Sequence, residues 1–146
     1  MIKKQIIIDT LFLTSILFIF YLTMFPNVYL GTGIAEGGHN FTPFLMMREI
    51  FTNGSLFSFV VNNIGNIVMF IPFGCLYPLA FPKRESFISV LLTGAFFSFS
   101  IETIQWFMKN RWSDIDDLIL NTLGTIIGYT CYRGITRLKE KITIFI

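Results

Sequence analysis

Residues 101–124 read IETIQWFMKNRWSDIDDLILNTLG: an apolar run that carries Glu102 and Gln105, a short charged turn, and a second apolar run that carries Asp117 and Asn121. In a helix, residues three and four apart share a face. Before the turn, Gly94, Ser98, Glu102 and Gln105 therefore form one polar and small stripe. After it, Asp114, Asp117, Asn121, Gly124 and Gly128 form another, and its two glycines make a small-xxx-small pair that lets membrane helices approach closely. The stretch reads as two antiparallel helices, polar at the turn and apolar away from it.

Working outward, the 146-residue chain is 53% hydrophobic with 18 Phe, and its mean hydropathy is +0.67. That is too apolar for a soluble domain and too regular for a disordered one. A spanning helix needs about 20 mostly apolar residues, and four stretches qualify, at residues 5–25, 56–81, 86–108 and 115–133. The expected fold is all-α: a single polytopic membrane domain over 1–146 with four transmembrane helices. Lys3 and Lys4 ahead of an apolar run resemble a signal peptide, but the run continues to Phe25 without a small-residue cleavage site, so the first segment is expected to stay attached.

Basic residues set the orientation. Lys3, Lys4, Lys83, Arg84, Arg133, Arg137, Lys139 and Lys141 fall on one side of a four-pass topology, and only Arg48, Lys109 and Arg111 on the other. The positive-inside bias then predicts a plasma-membrane protein with both termini cytoplasmic. The basic residues sit at segment ends and give no support to nucleic-acid binding. The outer loop, 26–55, opens glycine-rich from Gly31 to Gly38. Thr42 and Pro43 then look like an N-cap and a first-turn proline, with Asn53-Gly54 as a stop. A short helix over 43–52 is expected to lie in the outer interface.

In this topology Asn62, Asn63, Asn66, Glu102, Gln105, Asp117 and Asn121 all occupy the outer half of the membrane, as one polar layer. Asparagine and glutamine can act there as interhelical glue. Glu102 and Asp117 are harder to explain as packing, because no basic residue shares their depth. They are protonated, border water, or receive a cationic or hydrogen-bonding ligand. Arg111 either pairs with Asp114 or Asp116 and fixes the turn, or holds a phosphate or carboxylate in its planar fork. The candidate ligand-binding set is Asn63, Asn66, Glu102, Gln105, Arg111, Asp114, Asp117 and Asn121.

Other chemistry has little support. There is no P-loop, dinucleotide fingerprint, nucleophile elbow or H-E-x-x-H. No cofactor or metal is expected: Asp114, Asp116, Asp117 and Glu102 lack a specific metal spacing, and His39 is a lone histidine. Cys75 and Cys131 lie in apolar stretches and read as buried core thiols. Trp106 and Trp112 read as interface anchors.

The same residues carry a resemblance. Asn63-Ile64-Gly65-Asn66 with Phe70-Ile71-Pro72-Phe73-Gly74, then Glu102 with Gln105, then Arg111 and Asp114 leading to Asp117-Leu118-Ile119-Leu120-Asn121-Thr122-Leu123-Gly124 and Gly128-Tyr129, resembles the VanZ-like family. Asn40-Phe41-Thr42-Pro43-Phe44 is similar to that family's asparagine, proline and aromatic motif in the first outer loop. The resemblance implies a small polytopic membrane protein, and its founding member is associated with low-level teicoplanin resistance. Some relatives carry an acyltransferase label, but nothing here looks like a coenzyme-A site.

Three functions compete. The favoured one is non-enzymatic binding of an amphipathic envelope ligand, a membrane lipid headgroup, a lipoglycopeptide or a lipid-linked cell-wall precursor, in the polar layer. The second is an intramembrane enzyme with Glu102 or Asp117 as base and Arg111 on a phosphate. The third is a structural subunit that docks a membrane-protein partner.

Overall fold

In the computed structural model, residues 2–25, 27, 30 and 36–144 are described, and the chain is mostly helical. The order is α1 (Ile2–Met24), β1 (Gly38–Asn40), α2 (Leu45–Asn53), α3 (Leu56–Ala80), α4 (Phe87–Trp106), β2 (Trp112–Asp114) and α5 (Ile115–Ile144). Three of these helices, α1, α3 and α4, are long and apolar enough to cross a membrane, which fits a membrane protein. The fourth, α5, is 30 residues long and charged at both ends, running 11 residues past the expected stop at 133.

Local sequence explains the helix starts. The side chains of Ser55 and Ser86, ahead of α3 and α4, accept the backbone N–H groups of Ser58 and Ser89 at 3.0 and 3.2 Å. Asp114, ahead of α5, accepts from Asp116 N–H at 2.9 Å. A tight turn at Pro82–Arg84 joins α3 to α4, as the short inner loop predicts. Tyr132 on α5 donates to Glu85 at its end, at 2.7 Å.

The core gathers one face of each long helix. Phe12 and Ile19 of α1 meet Phe70, Phe73 and Tyr77 of α3 and Val90 and Ile101 of α4. Aromatic rings knit it together, with Phe12 to Phe73 and Phe73 to Phe97 each at 5.3 Å between centroids. The predicted stripe of α4 is its inward face: Gly94, Ser98, Glu102 and Gln105 are all buried. The glycine pair of α5 lies against α3, where a Cβ on Gly124 would meet Ile67 O at 2.2 Å and one on Gly128 would meet Ile71 O at 2.1 Å. Backbone touches backbone along this seam, as the spacing predicts.

Four departures from the sequence expectation matter. First, the fold is not purely α: β1 and β2 pair in parallel, Gly38 with Trp112, His39 with Ser113 and Asn40 with Asp114. Second, α3 contains a wide π turn over Val60–Ile64, in which Gly65 N–H reaches Val60 O. Such a turn inserts one residue, so Asn62 and Asn63 shift relative to Asn66. Third, Thr42 is not the N-cap of α2: the position before the helix is Phe44, and Thr42 N–H donates to Asn40 Oδ1 at 3.0 Å. Helix α2 begins at Leu45, after Phe44 at φ 64°, and the Asp116 carboxylate from α5 accepts Phe44 N–H and Met47 N–H in place of a local cap. Fourth, both cysteines are free, but Cys131 is exposed and Cys75 only half-buried, so neither is a core thiol. Pro26 and the stretch 31–35 of the glycine-rich loop lie outside the described residues.

Candidate functional site

The strand pair fastens the outer loop to the turn between α4 and α5. Gly37 N–H bonds Lys109 O at 2.8 Å, and a Cβ at Gly37 would sit 1.9 Å from Arg111 O. This close approach brings Asn40 beside Asp114, across 74 residues of sequence, where its amide donates to Asp114 Oδ1 at 2.9 Å. The backbone N–H of Asp114 in turn donates to Glu102 Oε2 at 2.7 Å. Asn40, Glu102, Asp114 and Asp116 are therefore one buried, connected set. Loss of hydration raises the pKa of Asp114 and the Asp116 charge adds to the rise, while bonds from Asp116 N–H and Asn40 oppose it.

The other expected site residues are held on other faces. Asn66 donates to Asp117 Oδ1 at 2.6 Å between α3 and α5. Asn121 donates to Ser98 at 2.9 Å between α5 and α4. Gln105 donates to Thr23 O at 2.9 Å, tying α4 to α1. Asn63 bonds back to Phe59 O at 3.1 Å and Asn62 to Ser58 O at 2.8 Å, within their own helix. The single layer read from the sequence is thus divided among several helix interfaces.

Arg111 is turned towards the end of α1. Its Nη2 donates to Leu22 O, at 3.1 Å, and to Phe25 O, so it satisfies carbonyls at the end of α1. Burial lowers its pKa and the Asp117 charge opposes that shift. Gln105 Oε1, Arg111 Nε and Asn121 Oδ1 are buried without a partner among the described residues. The acidic residues do not converge on one point. Asp116 caps α2, Asp117 faces Asn66 and Asp114 faces Asn40. No group of three or more His, Cys, Asp or Glu among the described residues is arranged to hold a metal ion.

What this end of the bundle does contain is a cavity of about 280 Å³ between α4 and α5. Glu102, Ser113 and Asp114 supply its polar part, and Phe41, Phe99, Trp106, Phe107 and Leu118 its apolar walls. Phe99 and Leu118 are shared with a shallower groove that continues down the same pair of helices past Phe96, Leu123 and Ile126. At the rim His39 stacks on Trp106 at 4.7 Å and 6°, and Phe41 packs on the same indole at 5.1 Å. Histidine here is part of an aromatic shelf.

Of the eight candidates, then, Glu102 and Asp114 line the cavity, five of the others tie neighbouring segments together, and Asn63 bonds back within its own helix. The sequence reading did not select Asn40, Phe41, Asp116 or Phe107. For Asn40 and Phe41 a signal existed in the Asn-Phe-Thr-Pro-Phe stretch; for Asp116 and Phe107 none did. The family described as VanZ/LLP1 matches residues 12–138 of the chain. No curated protein matches it, and no solved structure does.

Proposed function

The chain belongs to the VanZ-like family across most of its length, and from that premise we propose that it binds an amphipathic envelope molecule at the outer end of its helix bundle. One observation carries this reading: the α4–α5 cavity has aromatic and aliphatic walls, includes Glu102 and Asp114 among its lining residues, and opens along an apolar groove. Concave, mostly apolar sites with a few convergent polar groups are the usual form of a small-molecule site.

In this proposal α5 is the fourth membrane pass and both termini are cytoplasmic, as the eight basic residues assigned to that side require. Helix α2 then lies in the outer interface, with Phe44, Leu45 and Phe51 exposed to lipid. The ligand class is a lipid headgroup, a lipoglycopeptide or a lipid-linked wall precursor, and its capture is the route by which the protein would contribute to teicoplanin-type resistance. Binding is favoured over catalysis because Arg111, the group an enzyme would need on a phosphate, is committed to carbonyls of α1.

The test is teicoplanin susceptibility of cells expressing the parent chain, Glu102→Gln or Asp114→Asn at equal membrane levels. The reading expects the parent to raise tolerance and each variant to lower it again. A parent that changes susceptibility while both variants act like it would remove the cavity from the explanation.

A further inference from the structure

The proposed site accepts an amphiphile, and its walls specify more than that. Two acidic residues, Glu102 and Asp114, line the cavity, and among the described residues no Lys or Arg does. The guanidinium closest in sequence, Arg111, is turned to Leu22 O and Phe25 O. Four aromatic side chains line the same cavity, and of these Phe41, Trp106 and Phe107 lie towards the chain turn, with Phe107 81% exposed and so free to meet an incoming group. Acidic oxygens ringed by aromatic rings are the surroundings that stabilise an ammonium, through charge-assisted hydrogen bonds and through attraction to the ring faces. They repel phosphate and sulfate.

The groove supplies the second half of the ligand. It leads from Phe99 and Leu118 past Leu92, Phe96, Leu123 and Ile126, all apolar, along the lipid-facing side of α4 and α5. An aliphatic chain laid there stays within the bilayer while its head sits at the cavity. We infer that this site selects an amphiphile with a cationic amine head, the amine held between Glu102 and Asp114 under the Phe41, Trp106 and Phe107 rings and the alkyl chain in the α4–α5 groove. This rests on the proposed amphiphile-binding reading and adds the charge of the head and the path of the tail.

The experiment uses the 146-residue chain purified in dodecyl maltoside, with Trp112→Phe so that fluorescence reports Trp106 alone. Dodecylammonium, dodecanol and dodecyl sulfate are titrated in turn. The expected result is a saturable change with dodecylammonium, about ten-fold tighter than with dodecanol, and no saturation with dodecyl sulfate. Glu102→Gln should remove that ten-fold preference and leave dodecanol binding unchanged. Phe107→Ala, at an exposed position with no packing to lose, should weaken dodecylammonium by about three-fold without lowering the melting temperature. Ala95→Phe, in the groove, should weaken both ligands.

Equal binding of dodecylammonium and dodecanol, with Phe107→Ala silent, would overturn the amine assignment and leave the amphiphile reading standing. Tighter binding of dodecyl sulfate would do the same. Absence of saturable binding by any of the three would overturn both, and would turn the groove over to a partner helix.

Discussion

Helix α5 packs along two of the long helices, α3 and α4, and treats them differently. Against α3 it presents Gly124 and Gly128, and the backbones touch with no room for a methyl group. Against α4 it presents Leu118, Thr122 and Ile126, and the helices leave a cavity and a groove between them. The first seam is closed by the absence of side chains, while the second closes at Gly94 against Thr125 and opens at the cavity and the groove. The closed seam and the α1 contacts fix the bundle, so the open one can admit a ligand without unpacking the core. Polar pairs follow the same division: Asn66–Asp117 locks the closed seam, while Asn121–Ser98 holds the open seam just below the cavity.

The sharpest way to break this contrast is to enlarge the closed seam. Gly128→Ala places a methyl group 2.1 Å from Ile71 O, a conflict with backbone that no rotamer can relieve. Overpacking of this kind costs about 3 kcal/mol, and a clear fall in melting temperature in detergent is expected. Adding two methyl groups on the open seam, Ala95→Val, should change it by less than about 0.5 kcal/mol. Equal melting temperatures for the two variants would abolish the distinction between the seams.

A smaller effect concerns the outer loop that roofs the open seam. Asp116 holds Phe44 N–H and Met47 N–H at the start of α2, where a carboxylate also meets the positive end of the helix dipole. Asp116→Ala should cost about 1 kcal/mol. Its local signature is faster amide exchange across 45–53, with the α3–α5 seam still protected. Loss of protection in both places would show that the roof and the closed seam are one cooperative unit.

These two predictions also mark how far the sequence could be read. The apolar runs, the α4 stripe and the glycine pair are local periodic signals, and periodicity survives folding because each helix buries one face. The contact of α2 with Asp116 is not local. Nor is the strand pair, whose three-residue members lie too far apart in the chain for any composition or alternation to announce them. The polar layer shows the same limit. Position along a helix is legible in the sequence, but the direction each side chain takes depends on how α3, α4 and α5 rotate against one another. The π turn in α3 changes that rotation by a residue. Hence Gln105 and Arg111, read as neighbours of Glu102, serve α1 instead.

The smallest effect expected is that of pH at Asp114, beside the open seam. Burial, with Asp116 beside it, raises the pKa of Asp114, while Asn40 and the Asp116 N–H hold it back. A carboxyl whose pKa is higher folded than unfolded binds protons more tightly in the native state. Its contribution to stability is full below the ordinary carboxylate range and is lost as pH rises through the folded value. Acidification from neutral should therefore stabilise the parent slightly, and Asp114→Asn should flatten that part of the profile. Binding of an amine head runs the other way, because protonating Asp114 removes half of the acidic pair that Glu102 completes. Between neutral pH and the ordinary carboxylate range, melting temperature and dodecylammonium affinity should move in opposite directions. Were they to move together, Asp114 would be a structural group of the outer turn, and the open seam would owe its selectivity to Glu102 and the aromatic rings.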